Sequence, residues 1–374
     1  MSWNSMPLLR IGDLQARIPI IQGGMGVAIS RSGLAAAVAN AGGIGVIAAV
    51  GLDLADNRKK GRLKGSSVEH LKAEIRTARQ NTHGLLGVNV MVALSDFTEL
   101  VDAAIEEDID VLLLGAGLPL HFSASLTAER LRTLRSKILP IVSSGRAAEL
   151  IFQYWAKKYN RIPDGVVVEG PKAGGHLGFK REQILDPAFA LEKLIPAVIA
   201  AVKPFSEAFH QPTPVIAAGG IYTGQDIHAI LQLGAAGVQM ATRFIATHEC
   251  DADIAFKRAV VDAEEGDITI IDSPVGLPGR AIRNQFLKDV SAGIKKPFTC
   301  PYKCLKTCDY KTAPYCIAMA LTNAQQGHLQ NGFAFVGANA YRVKEIVSVP
   351  ELIMNLQEEY AAAAAVPFPL AASA

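Results

Sequence analysis

The stretch PVIAAGGIYTGQDIHAILQLGAAGVQMATRF, Pro214–Phe244, reads as strand, glycine turn, helix, strand and a second turn of small residues. Both strand runs, Pro214–Ala217 and Gly237–Ala241, are almost continuously apolar instead of alternating, as parallel strands covered on both faces require. Working back toward the N-terminus, similar runs lie at Pro19–Gln22, Gly45–Ala48, Gly87–Val92, Val111–Leu114, Pro140–Ser143 and Gly165–Glu169. Between them fall helix-like stretches such as SVEHLKAEIRTARQ, DFTELVDAAIEED and TAERLRTLRSK. Eight such units in series suit a closed barrel better than an open sheet. The expected fold class is α/β, a TIM (β/α)₈ barrel over residues 1–250. After residue 250 the rhythm stops. A turn-rich segment, a cysteine cluster and two helical patterns (YCIAMALTNAQQG and VPELIMNLQEEY) read as a C-terminal extension, 251–374, a helical, cysteine-bearing appendage packed on the barrel.

Composition narrows the class of function. A chain of 374 residues with 50% hydrophobic and 19% charged side chains can bury a large core and leaves room for a subunit interface, hence a homo-oligomer. The net charge of +2 and the lack of a dense basic patch with interleaved aromatics speak against nucleic acid. RKKGRLKG, Arg58–Gly65, reads as a solvated loop. The N-terminus has no basic segment followed by a long apolar one, and no run of about 18 apolar residues occurs, so neither a signal peptide nor a membrane span is expected. A cytoplasmic enzyme with a small-molecule substrate is the expectation.

Small residues gather where the strands end: IIQGGMG, GVNVM, VSSG, VEGPKAGGHLG, IAAGGI and VQMATRF. In a barrel these loops share one rim, where ligands bind. A glycine there lets backbone approach a flat ring or a phosphate closely, although any single one also serves simply to end a strand. Two loops suggest a phosphate site. Gly219 and Gly220 precede a helix that Thr223 or Gly224 opens, and Gln239, Met240, Ala241 and Thr242 offer backbone N–H groups. His176, among Gly174, Gly175 and Gly178, has little packing to do, and an imidazole pKa near ~6.5 suits proton transfer or charge stabilisation. His121, in GAGLPLHFS after the fourth strand, is its rival on the rim. No serine elbow, HExxH or Rossmann fingerprint is present.

CPYKCLKTCDYKTAPYC holds Cys300, Cys304, Cys308 and Cys316, separated by three, three and seven residues. Thiolates so close in sequence can hold zinc or an iron–sulfur cluster. The spacing matches neither the usual zinc pair nor the ferredoxin run, and on a helix the first three would stack on one face as packing residues.

As an ordered set, IIQGGMG, GVNVMV, VVVEGPKAGGHLG, PVIAAGGIYTGQDI and LGAAGVQMATRF resemble the nitronate monooxygenase family, formerly 2-nitropropane dioxygenases, over about residues 15–290. The resemblance implies non-covalent FMN on the C-terminal face of the barrel. It implies Gly23, Gly24 and Met25 against the flavin ring, Asn89 hydrogen-bonded to it, and Gly174 and Gly175 along the ribityl chain. Gly219, Gly220, Gln239, Met240 and Thr242 would hold the phosphate end. Ser144, Glu169, Lys172 and Ala241 complete the expected cofactor contacts, and His176 matches the catalytic histidine. Lys172 and Ala241 depart from the family's usual Glu and Gly, and a lysine there favours an anionic substrate or reduced flavin. The reaction implied is oxidation of alkyl nitronates with O₂ to carbonyl compounds and nitrite. The alternative within the scaffold is NAD(P)H-dependent reduction of quinones or enoyl-acyl-carrier-protein substrates. A reading of another class is a non-catalytic flavin or metal sensor.

Overall fold

The computed structural model describes residues 6–55, 66–294, 300, 303–306 and 308–365; the Arg58–Gly65 loop lies outside the described residues. Eight parallel strands form one sheet: β1 (Ile20–Gln22), β2 (Gly45–Ala48), β3 (Leu86–Met91), β4 (Val111–Gly115), β5 (Lys137–Val142), β6 (Val166–Glu169), β7 (Val215–Ala218) and β8 (Gly237–Met240). Each of β2 to β8 pairs with its sequence neighbour, and β8 returns to β1, with Val238 opposite Ile20. β1 and β2 then meet through a parallel bridge between Ile21 and Ile44. There the Gln22 N–H donates to Ile44 O at 2.9 Å and the Ile44 N–H to Ile20 O at 3.0 Å. The barrel is closed, or nearly so.

Alternation along each strand divides the buried side chains between two cores. Ile21, Val46, Leu113, Leu139, Val167 and Ile216 point into the barrel and pack with Leu9, Ile11 and Ala16 of an N-terminal hairpin (Leu9–Ile11 and Leu14–Ala16). Their neighbours Ile20, Ile47, Val88, Leu112, Ile138, Val166, Ala217 and Val238 pack outward under the helices. Apolar residues on both faces are what the unbroken runs in the sequence signalled. β5 begins at Lys137, ahead of the expected Pro140, because the ladder donors before the proline find partners. The Lys137 N–H donates to Asp110 O and the Ile138 N–H to the Asp164 carboxylate, both at 2.8 Å.

Residues after 250 share the outer core, which includes Val336, Val349, Leu352 and Leu356. Strands Ile268–Asp272 and Pro278–Ile282 form an antiparallel pair, and the second also pairs with Gly175–His176 of the loop after β6. The cysteine segment is not helical among the described residues, so stacking of Cys300, Cys304 and Cys308 on one helix face does not occur. Pro314 and a left-handed Lys303 (φ 45°) suit the turns the described residues adopt instead.

Helix Val349–Ala365 closes over helix Gly224–Gln232. The Gly224 N–H donates to the Glu359 carboxylate at 2.6 Å, and a Cβ on Gly224 would run into Leu356 O and the Tyr360 backbone. Gly224→Ala should therefore cost about 1–3 kcal/mol of stability, the usual range for overpacking. Urea unfolding of the full chain, read at an unchanged m-value, measures it; an unaltered midpoint would show that the terminal helix yields freely.

Candidate active site

A cavity opens at the C-terminal ends of the strands. Gly23, Gly24 and Met25 after β1 line it, with Glu169, Lys172, Gly174 and Gly175 at and after β6, and Gly219 and Gly220 after β7. Gln239, Met240, Ala241 and Thr242 at and after β8 complete the barrel's share. Its space, open mouth included, is about 1090 Å³. Two glycines are required by geometry. Gly219 has φ +95°, and a Cβ there would stand 2.8 Å from Gly170 O; Gly24 is so close to Asn89 that a Cβ would overlap its side chain. Gly175, at φ +75°, has nothing within 4 Å of its Cβ position and leaves open space.

The extension supplies a further wall, Phe335–Asn339, with Phe256 and Leu321. The Ala338 N–H donates to Lys172 O (3.0 Å), the Gly337 N–H to Thr242 Oγ1 (2.9 Å) and Asn339 Nδ2 to Gly220 O (2.6 Å). One short segment thus ties together the loops after β6, β7 and β8. Arg280 works from beneath: its buried Nη1 donates to Pro171 O and Ala173 O, each at 2.6 Å, holding the loop that carries Lys172. Burial lowers this guanidinium to about 10. Sequence reading missed Arg280 and the 335–339 segment because both lie in what looked like an appendage. The small-residue run FVGANA was the available signal.

His176 is adjacent to the cavity without being one of its lining residues. Its ring packs edge-on against Phe335, which does line it, at 5.0 Å between centroids. Nε2 lies 2.8 Å from Ser273 Oγ, a buried partner contributed by the turn between the two antiparallel strands. Burial lowers the imidazole to about 4 instead of leaving it near its free value, so it is neutral at pH 7. Glu169 moves the opposite way: burial raises its carboxyl to about 7. The Gln239 side-chain oxygen is buried with no hydrogen-bond partner.

A model of the nitronate monooxygenase family matches residues 10–359. The chain belongs to that family. It is an oxidoreductase by that membership. A relative from Mycobacterium tuberculosis, (3aS,4S,5R,7aS)-5-hydroxy-7a-methyl-1-oxo-octahydro-1H-indene-4-carboxyl-CoA dehydrogenase, is 28% identical over 275 residues, 74% of this chain and 66% of that one. The match thus spans just under two thirds of that relative's length. FabK from Thermotoga maritima superposes with a TM-score of 0.71 at 28% identity, covering 92% of this chain and 93% of its own. A nitroalkane oxidase from Streptomyces ansochromogenes superposes at 0.69 and 25% identity, covering 93% and 97%.

Several residues singled out from the sequence fall elsewhere in this family member. Asn89 packs against Gly24, and its Nδ2 donates to Leu113 O at 3.2 Å; it does not line the cavity. Ser144 caps helix Gly145–Tyr159, its Oγ accepting from the Ala147 N–H. His121 is drawn to the outside of that helix, 3.1 Å from both Tyr154 Oη and Lys158 Nζ, and is no rival to His176. Thr223 does cap the helix beginning at Gly224, but its N–H and that of Tyr222 are taken by Asp226, and that of Gly224 by Glu359. Carboxylates already satisfy that helix end. Among the described residues no three His, Cys, Asp or Glu side chains are grouped closely enough to hold a single metal ion, so no preformed metal-ion site supports the zinc or iron–sulfur expectation. No helix among them is long and apolar enough to cross a membrane.

The two shifts act oppositely on stability in cofactor-free protein. Glu169 binds a proton more tightly folded than unfolded, so its contribution is full below the unfolded value and is lost as pH rises through about 7. His176 contributes above its unfolded value of ~6.5 and loses that contribution as pH falls through about 4. Glu169→Gln should therefore gain on the parent chain as pH rises from about 5 to about 8, read from urea midpoints across that window. A difference independent of pH would show that the carboxyl is not held protonated.

Proposed function

We propose that this chain oxidises alkyl nitronates with O₂ to carbonyl compounds and nitrite, using FMN held in the rim cavity. The observation that carries the reading is the Gln239 oxygen, a buried acceptor with no donor, at a cavity to which eight glycines contribute wall. An unmet buried acceptor costs about 1–3 kcal/mol. A flavin's ring N–H or ribityl hydroxyl is a donor of the required kind, and a flat ring needs walls without side chains. Lys172 and Arg243 line the same cavity and suit the phosphate. Within that fit, Gly23, Gly24, Met25, Gly174 and Gly175 border the ring and chain, and Gly219, Gly220, Met240, Ala241 and Thr242 border the phosphate end. Bound FMN would supply the electron acceptance and the reaction with dioxygen that no side chain here can provide.

The protein's part is placement and charge. His176, neutral at pH 7 and fixed against Ser273 and Phe335, can hydrogen-bond to a nitro oxygen of the nitronate. Lys172 offers positive charge to an anionic nitronate. Phe335 and the 336–339 segment cover one side of the cavity against water. Likeness to a nitroalkane oxidase over nearly the whole chain supports this substrate class.

A second reading, NAD(P)H-dependent reduction of quinones or enoyl-acyl-carrier-protein substrates on the same flavin, draws on the likeness to FabK and to a relative named for a CoA thioester. His176→Ala should retain FMN and lose nitrite release from propyl nitronate by about two to four orders of magnitude, the range of an acid–base group. An unchanged rate would remove His176 from the chemistry. Anaerobic bleaching of the flavin by NAD(P)H, with no nitrite formed from the nitronate in air, would replace oxidation with reduction.

A further inference from the structure

A second cavity, sharing no lining residue with the first, is ringed by Cys300, Cys304, Cys308 and Cys316. The four thiols converge from a segment of 17 residues, although no helix organises them. Cys316, Cys300 and Cys308 each bear electrostatically on the Cys304 thiol, so the group acts as one site. No disulfide joins them among the described residues. We propose that these four cysteines hold one iron–sulfur cluster.

The backbone around the cavity is fixed by partners outside the cysteine segment. The Ser95 N–H donates to Cys304 O at 3.1 Å, the Lys306 N–H to Ala93 O at 3.0 Å, and Leu94 bridges to Leu305. These contacts tether the segment to the loop after β3. Lys303, at the cavity wall, adopts a left-handed conformation that a non-glycine residue takes only at a cost of roughly 1–2 kcal/mol. Cys316 stands at the N-cap of helix Ile317–Gln325, which fixes the fourth thiol from another direction.

Spacing decides between a single ion and a cluster. Zinc–sulfur bonds of about 2.3 Å would draw four sulfurs to within roughly 4 Å of one another. The thiols here surround space instead, about 820 Å³ with the mouth included, and no three are grouped as ligands of one ion. A cluster interposes its own iron and sulfide between the thiolates and holds them farther apart. Charge agrees: Lys303 and Lys306 line the cavity and, among the described residues, no carboxylate does, which suits an anionic thiolate-bound cluster. Ile317 and Leu305 give it an apolar wall continuous with Phe286, Tyr315 and Phe333.

The position relates the cluster to the proposed flavin. Ile317 lines the cysteine cavity and Leu321 lines the rim cavity, four residues on along one helix, or about 6 Å of rise. The site does not depend on which reaction the rim catalyses, because its test reads metal and sulfide.

The full chain, purified without air and then incubated with ferrous iron, sulfide and a thiol reductant, should contain iron and acid-labile sulfide in matching amounts. It should also show a broad visible shoulder beyond the flavin bands that dithionite bleaches. Cys304→Ser and Cys300→Ser should each lower retained iron about ten-fold or more while FMN content and far-UV circular dichroism stay unchanged. Cys250→Ser, remote and buried, should retain the cluster. Should Cys304→Ser fail to fold, Cys300→Ser carries the test. Parent protein without iron and sulfide after reconstitution overturns the assignment. So does stoichiometric zinc that iron cannot displace, or full iron and sulfide in both cysteine variants.

Discussion

Closure of the sheet at Ile21 and Ile44 is the constraint from which the rest of this molecule follows. Once β1 meets β2, no strand edge remains and every strand is buried on both faces, one side filled by Ile21, Val46 and their layer, the other by the helices. Polar chemistry then has nowhere to go but the ends of the barrel. The N-terminal hairpin closes one end with Leu9 and Ile11. The other is left to the loops after β1, β6, β7 and β8, and to the cavity they enclose.

The extension turns that open rim into a defined site. A barrel alone would hold the loop after β6 by its own short turns and by few barrel contacts, among them Gly170 N–H to Ala218 O and Ser143 Oγ to Gly178 O. Arg280 binds two of that loop's carbonyls from below, and segment 336–339 hydrogen-bonds to three loops from the side. Hydrogen bonds from a charged donor contribute about 1.5–3 kcal/mol each, more than neutral ones, which suits a guanidinium that has given up water to make them. His176 is fixed by the same construction, since its strand pairs with Gly279 and its ring rests on Ser273 and Phe335. Barrel and extension are therefore one functional unit, whatever the change of rhythm after residue 250.

Apolar strand runs are set by local burial, and a local reading of the sequence finds them: seven of the eight strands start within one residue of where the runs place them. β5 is the exception, because the run KILPIV contains a proline and its donors are satisfied by Asp110 and Asp164, which are remote in sequence. The glycine loops were legible for the same reason as the strands. What escaped were the long-range choices. Ser144 and His121 stand at strand ends and so look like rim residues, yet Ser144 is needed as a helix cap and His121 is drawn to Tyr154 and Lys158. Ser273 and Arg280 reach the site across 97 and 109 residues of chain, and Phe335 across still more, beyond what periodicity or motif spacing encodes.

Burial gives the rim an unusual charge balance. It pushes Glu169 toward neutrality and holds His176 neutral, while Lys172 and Arg243 line the cavity and Arg280 stands behind the loop. One group that would ordinarily be charged, Glu169, is thereby partly removed from the field, His176 adds no charge to it, and the side chains left at the cavity are the basic Lys172 and Arg243. On the proposed reading, a bound phosphate would take up part of that field. The remainder would favour an anionic substrate over its neutral conjugate acid, since a cation in a poorly solvated cleft discriminates between them more strongly than it would in water. Lys172 matters most here, as a carboxylate in its place would reverse the sign of the group nearest Gly220. The same field that would admit a nitronate would repel a cationic substrate, so the chemistry of the site is narrowed by charge before any shape is considered.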